Sequence, residues 1–283
     1  MSVITDNKDQ INDLMTFKHI SAAFTEAAAV KLKNIRDAFN RNARYYEEIN
    51  YIYHLVEMNA KRMQMEQIKS QIESKSARLY IAFTSNQRFF GSINTEIMNT
   101  FIRDSDNPSI EKMIIGATGQ AYVRSTGQKF SYKEMDFRKD LPAEDEIALF
   151  LKMTENYDQV RVFYPKFISF LKQEVGVTDI TQKIALRDLK KNEKTEEIHL
   201  IFEPELEKMI KFFDTQVRWL LFKRVILESD MARTAARLLT MSQAEERTDF
   251  EIKKKKADLR KVVRSFTNAQ LLDTFSGIKR WKH

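Results

Sequence analysis

The chain has 283 residues, of which 43% are hydrophobic and 31% are charged, so it is long enough and apolar enough to bury a core. Only six glycines and four prolines occur, which favours long helices over β-sandwiches, β-barrels and disorder. The absence of cysteine excludes disulfides, thiolate nucleophiles and zinc–thiolate sites. No apolar run is long enough to span a membrane, and residues 1–10 lack the apolar core of a secretion signal.

Both ends of the chain are free of helix-breaking residues. No glycine or proline precedes Gly91, and none lies between Pro204 and Gly277. As one helix, residues 205–276 would reach roughly 110 Å. Apolar residues recur there at spacings of three and four and predict a seam that packs against another helix, at Met209, Phe213, Val217, Leu220, Ile252, Leu259, Val262 or Val263, Phe266, Ala269 and Leu272.

The amino-terminal segment, residues 9–70, is the predicted partner of that seam. Small residues between Ser21 and Ala29 would let two helix backbones approach closely. The pattern favours an extended antiparallel coiled coil, and two helices packed simply as a domain core are the alternative. The apolar stripe predicted for this segment comprises Ile11, Leu14, Ile20, Ala23 or Phe24, Ala27 and Leu32.

The middle of the chain has the pattern of a small α/β domain. Strands are predicted at 79–84, 112–115, 159–164 and 197–202, and helices at 95–103, 119–125, 144–154 and 166–174. Alternating strands and helices predict a Rossmann-like domain with a mostly parallel sheet. The expected fold is therefore α/β with dominant helix, in three parts: an N-terminal helix at 1–75, a central α/β domain at 76–203 and a C-terminal helix at 204–283.

The net charge of +7 is concentrated at the carboxyl-terminal end. Residues 253–283 contain ten lysines and arginines against two aspartates, a net charge of +8. This basic segment indicates an acidic partner, which is either a protein surface or a nucleic acid. The acidic protein surface is preferred, because no aromatic side chains interleave with the run Lys253–Lys256, Arg260, Lys261 and Arg264.

The sequence contains no convincing catalytic, cofactor or metal site. Residues Gly116–Gly119 follow a predicted strand and open a helix, but they lack the Lys-Ser/Thr of a P-loop and the third glycine of a dinucleotide fingerprint. A tight turn is therefore favoured over phosphate binding. The four histidines form no His-x-x-x-His pair, which argues against metal ligation, and the acidic run Glu144–Glu146 is interpreted as the start of a helix.

Several segments resemble the gamma subunit of F-type ATP synthases, in the order of that family. Residues 79–98, LYIAFTSNQRFFGSINTEIM, resemble its first strand and the following turn. Further matches are Ile20, Ala27–Ala29 with Lys31-Leu32, Ile114-Ile115-Gly116 with Gly119 and Gly127, Tyr157–Tyr164, Phe202-Glu203-Pro204, Leu227-Glu228-Ser229, and Ala235-Ala236-Arg237 with Met241. The resemblance extends from about Met15 to Gly277 and reproduces the order helix, α/β domain, helix.

The resemblance implies a central rotor shaft inside a ring of three alpha-like and three beta-like ATPase subunits. The terminal helices would form the shaft, and the α/β domain would protrude toward a membrane rotor ring, with an epsilon-like subunit as a further partner. The chain would be non-catalytic, with ATP and Mg²⁺ bound by partner subunits, and peripheral on the cytoplasmic face of the cell membrane. Seven residues are expected to contact partners: Phe24, Lys31, Arg237, Lys261, Arg264, Gln270 and Asp273.

The sequence also departs from the pattern of the gamma subunits it resembles. The turn after the first strand, usually acidic, basic and glycine-rich, is Asn86–Phe90 here, and Ala232-Arg233 stands where the family has Ser-Glu. Val263-Arg264 and Gln270 replace other family residues, and the tip Lys279–His283 is basic. These departures keep two alternatives open: a gamma-like shaft of a repurposed F-type-like ATPase not coupled to ion flow, for example in surface or motility machinery, and a non-rotary coiled-coil scaffold.

Overall fold

The computed structural model describes residues 2–62, 77–181 and 206–280. The predicted combination of long terminal helices with a central α/β domain is confirmed. The predicted strand at 197–202 lies outside the described residues. The elements are α1 (Ser2–Arg62), β1 (Arg78–Phe83), α2 (Ile93–Asp104), β2 (Ile110–Ile115), α3 (Ala117–Thr126), β3 (Lys133–Met135), α4 (Glu144–Thr154), β4 (Gln159–Phe167), β5 (Gln173–Asp179) and α5 (Leu206–Arg280).

The five described strands form one sheet in the order β3-β2-β1-β4-β5. The strand β1 pairs in parallel with both β2 and β4, and β2 pairs in parallel with β3. Because the chain crosses from β3 on one side of β1 to β4 on the other, the order reverses between β1 and β4, as in Rossmann-like folds. The predicted, mostly parallel sheet is therefore confirmed, and β5 is its one antiparallel member within the described residues.

The predicted helix at 166–174 is wrong. Phe167, Phe170 and Leu171 have helical spacing, but β4 continues to Phe167 and turns directly into β5. Backbone hydrogen bonds in both directions between Ser169 and Lys172 close the turn. Gly176 then allows β5 to lie against β4, since a Cβ at this position would come within 2.9 Å of the Tyr164 ring.

Both faces of the sheet are covered, so the central strands are apolar at successive positions. On one face, Leu79, Ile81 and Phe83 of β1 pack under α4 and α5. On the other face, Tyr80 and Ala82 pack under α2 and α3. The apolar face of α5 therefore forms part of the core of the α/β domain.

The long helix α1 has a seam with coiled-coil spacing that only partly matches the predicted stripe. Ile11, Leu14 and Leu32 lie on this seam as predicted. The other predicted positions, Ile20, Ala23 or Phe24, and Ala27, are exposed, because the repeat that starts at Ile11 places small and polar side chains on the seam instead. The buried or half-buried positions of this repeat are Ile11, Leu14, Lys18, Ser21, Thr25, Ala28, Leu32, Ile35, Phe39, Asn42, Tyr46, Ile49 and Tyr53.

The described residues divide into two compact units, and both terminal helices contribute to each. Unit 1 comprises the described residues of 1–30 and 237–283, and unit 2 comprises those of 31–236. Within unit 1, Lys18 pairs with Asp249 and Gln10 with Lys255, so the partner on α5 lies later in sequence as the residue on α1 lies earlier, and the two helices run antiparallel there. Unit 2 holds the sheet, its covering helices and its own part of the helix pair.

Replacing Phe222 by alanine is expected to destabilise unit 2 by about 3–5 kcal/mol. Phe222 lies on α5, and its side chain is fully buried and stacks on Phe150 of α4 with the ring centroids 4.0 Å apart. The matched control is Phe212→Ala on the same helix, whose side chain is 56% exposed and should cost no more than about 0.5 kcal/mol. Urea unfolding followed by circular dichroism measures both, and equal effects would contradict the described packing of α5.

Candidate partner-binding surface

In unit 1 the two terminal helices form an antiparallel pair with a narrow apolar seam. Lys18 Nζ donates to Asp249 Oδ1 at 2.7 Å, and Lys255 Nζ donates to Gln10 Oε1 at 2.8 Å. The side chains of Ile11 and Ile252, each 6% exposed, are buried at the same level of the pair. The hydrogen bond with Asp249 raises the pKa of Lys18 and lowers that of Asp249, so both groups stay charged at neutral pH.

The carboxyl-terminal part of α5 extends past the end of α1. At the register set by Lys18 and Lys255, the amino end of α1 lies opposite the region of Val263. All described side chains from Val263 to Ser276 are exposed. The predicted seam positions Phe266, Ala269 and Leu272 are therefore wrong, because α1 offers them no partner within the described residues.

This segment of α5, residues 263–276, is called the single-helix end, and it exposes both apolar and polar side chains. Phe266 is 38% exposed, Leu271 51%, and Leu272 and Phe275 each 67%. These residues continue the 75-residue helix α5. Exposed leucine and phenylalanine side chains add nothing to its stability unless another surface covers them. Exposed apolar side chains of this kind are typical of a surface that another protein covers.

The structure places the seven predicted contact residues along the terminal helices without gathering them into one cluster. Five are exposed in unit 1: Phe24, Lys261, Arg264, Gln270 and Asp273. Arg237, at the start of the α5 part of unit 1, is half-buried. Lys31 lies in unit 2, where its ammonium donates to Asp230 Oδ1 at 2.6 Å. Lys261 Nζ donates to Asp258 at 3.4 Å, and the partner roles of all seven remain predictions.

The glycine turn at the start of α3 uses its backbone donors within the protein. The N–H of Ala117 donates to Asn86 Oδ1 at 2.9 Å, that of Thr118 to Ser85 O at 3.0 Å, and that of Gly119 to Thr84 Oγ1 at 3.0 Å. A helix N-terminus binds phosphate through these same groups. The tight-turn interpretation is supported, because these donors already have partners.

Phe89, in the turn after β1, has a backbone conformation that the sequence pattern did not predict. Its φ of 69° lies in the left-handed region, which costs an L-residue about 1–2 kcal/mol, and its side chain is 63% exposed. The neighbouring Phe90 is buried under α2 and holds the turn in place. The available signal was the glycine-rich turn of the gamma subunits, since glycine adopts this conformation without strain. Phe89 is therefore a further exposed aromatic side chain, outside the terminal helices.

Within the described parts of the chain, no three histidine or acidic side chains are placed to hold a metal ion. In the same parts, no helix is long and apolar enough to cross a membrane.

The protein thus combines two long helices that pair with each other and a Rossmann-like sheet that the carboxyl-terminal helix covers on one face. A family model described as ATP synthase matches residues 4–279. The chain therefore belongs to the ATP synthase family.

Its relatives in that family are gamma chains. The ATP synthase gamma chain of Dictyoglomus thermophilum is 25% identical over 300 residues, covering 100% of this chain and 99% of that one. The gamma chain of Clostridium kluyveri is 26% identical over 246 residues, covering 84% of this chain and 83% of that one. Among solved structures, the central stalk and c-ring of the Tetrahymena thermophila mitochondrial ATP synthase contains a chain with the same fold. The two chains are 18% identical and superpose with a TM-score of 0.59, covering 80% of this chain and 99% of that one.

Proposed function

We propose that this chain is the central rotor shaft, the gamma-like subunit, of an F-type rotary ATPase. The observation that carries the proposal is the single-helix end of α5, which exposes large apolar side chains beyond the last contact with α1. The gamma-chain relatives and the stalk-like fold support the same assignment. The shaft would couple rotation to ATP synthesis or hydrolysis in a surrounding ring of subunits.

The charge of α5 supports enclosure by an acidic ring. Residues 253–283 carry a net charge of +8, and Lys253, Lys254 and Lys256 are exposed. Individual exposed ion pairs contribute only about 0–1 kcal/mol each. Many weak contacts of this kind attract the helix without fixing one register, which is what rotation inside a ring requires.

The proposed partners are three alpha-like and three beta-like subunits, an epsilon-like subunit and a membrane rotor ring. ATP and Mg²⁺ would bind to the ring subunits, and this chain would catalyse no reaction itself. An asymmetric shaft presents a different face to each ring subunit and so biases each between open and closed states through differential contacts. Contact with the rotor ring would hold the chain at the cytoplasmic face of the membrane.

A gamma-like shaft in an F-type-like ATPase that is not coupled to ion flow is the second candidate. The departures from the gamma pattern at Asn86–Phe90 and at Arg233 favour it, because Arg233 donates to the carbonyl of Thr84, at the end of β1 from which that turn begins. Shaft geometry is the same in both candidates. They differ in what the α/β domain contacts.

Purification of the tagged chain from its native cells separates these candidates. We expect one copy of the chain with three copies each of two P-loop subunits, together with ATP hydrolysis. A co-purifying membrane ring would identify an ATP synthase, and an active complex without the ring would identify a repurposed motor. Recovery of the chain alone, or with nucleic acid, would contradict the shaft role and favour a coiled-coil scaffold or a binding protein.

Charge reversal at the predicted contacts should slow ATP turnover of the assembled complex without unfolding the chain. For Lys261→Glu or Arg237→Glu we expect a decrease of up to about fivefold, since each contact is worth at most about 1 kcal/mol. Lys129→Glu, an equal charge change at an exposed site between α3 and β3, is the matched control. Unchanged turnover in both variants would contradict the predicted contacts of Lys261 and Arg237, but it would not contradict the shaft role.

A further inference from the structure

Arg233 is the largest fully buried side chain of the described residues, with 1% of its surface exposed. Its Nη2 donates to the carbonyl oxygens of Phe83 at 3.1 Å and of Thr84 at 2.8 Å. Its guanidinium carbon lies 4.7 Å from the centroid of the Phe83 ring. Burial lowers the pKa of Arg233 to about 10, with Asp140 and Asp230 opposing that shift, so the side chain is charged at neutral pH.

Burying this charge is costly for the fold. Nε and Nη1 of Arg233 have no hydrogen-bond partner within the described residues, and unpaired buried donors are unfavourable. An apolar side chain of similar size would fill the same space between α5 and Phe83 without that cost. An apolar residue, however, could not donate the two hydrogen bonds to the consecutive carbonyls of Phe83 and Thr84.

Those two carbonyls lie where β1 ends and a hydrogen-bonded turn begins. Thr84, Ser85 and Asn86 supply the acceptors for the first three N–H groups of α3. Asn86 also donates its N–H to Asp140 at 2.6 Å and its side-chain amide to the carbonyl of Phe137 at 2.8 Å. The end of β1 therefore connects α3, the segment before α4 and the exposed turn that carries Phe89.

Apolar packing alone does not fix α5 along this surface. Phe222, Val225 and Ile226 contact the sheet through dispersion and burial, which are non-directional. Charge-assisted hydrogen bonds require a defined distance and angle. A second buried hydrogen bond joins α5 to the sheet, from Tyr164 OH on β4 to Glu228 Oε2 at 2.9 Å.

We propose that Arg233 is a positioning residue that fastens the end of β1, and through it the turn Asn86–Gly91, to α5. The turn and the helix then move as one body. If α5 is the shaft, which rests on the function proposed above, Arg233 transmits twist between the shaft and the α/β domain. The fastening itself is a property of the chain and can be tested without partner subunits.

Hydrogen exchange of the full-length chain tests the fastening directly. The reporters are the amides of Ala117, Thr118 and Gly119, whose acceptors lie in Thr84–Asn86. In Arg233→Met we expect their exchange to accelerate by about tenfold, because two carbonyls lose a charge-assisted donor and the end of β1 opens locally. The amide of Ile180, which donates to Val160 level with the start of β1 on the neighbouring strand β4, should be unchanged.

Two further variants keep the test decisive. Tyr164→Phe removes the second buried hydrogen bond between α5 and the sheet and should leave the α3 reporters at their wild-type rates. Arg233→Lys keeps the charge but not the planar guanidinium, and should accelerate the reporters less than the methionine variant. If Arg233→Met does not fold, the lysine variant alone decides, and an acceleration confined to the three reporters supports the proposal. Unchanged reporters, or equal acceleration of the reporters and of Ile180, would overturn it.

Discussion

The seam between α1 and α5 is the constraint on which the rest of the structure depends. Alternating spacings of three and four place Ile11 and Leu32 on one line of α1. In unit 1, Ile11 is buried at the level of Ile252 of α5, and in unit 2, Leu32 packs with Met231 and Ala235 of α5. In unit 2 the same α5 helix also covers one face of the sheet, so its residues are apolar on more than one side. Where α1 is no longer alongside, α5 has no cover within the described residues. The seam thus determines which part of α5 is core and which part is free for a partner.

Much of this fold was predictable because the signals are local. The seam positions Phe213, Val217, Leu220 and Ile252 are buried as expected, and the strands β1, β2 and β4 were located within a few residues. The errors arose where tertiary context overrides pattern. Ser21 is buried although it is polar, because helix spacing rather than hydropathy selects seam positions. β3 has only three residues, and β5 follows a turn with helical apolar spacing, so neither had a sequence signal of its own.

The candidate site was predictable only in outline. Composition located the basic segment, but it did not show where α1 ends along α5, and that point decides which apolar residues are exposed. Lys31 could not be distinguished in sequence from a partner-facing lysine, yet it pairs with the buried Asp230. Arg233 was visible only as a departure from the gamma pattern. Its burial depends on β1 and α5 meeting in space, which no local pattern encodes. The burial and the partners of these residues depend on contacts between distant segments, and such contacts have no local sequence signal.

The claim that a ring encloses the end of α5 is tested most directly by one engineered thiol. The chain contains no cysteine, so Leu272→Cys introduces a single reactive group at a position that is 67% exposed in the free chain. In the complex purified from native cells, we expect this thiol to be protected from maleimide. We also expect disulfide cross-links to cysteines placed in the ring subunits, with loss of ATP turnover that reduction restores. The exposed control is Leu149→Cys on α4. If the thiol at position 272 reacts as fast as this control and oxidation leaves turnover unaffected, no ring encloses the end of α5.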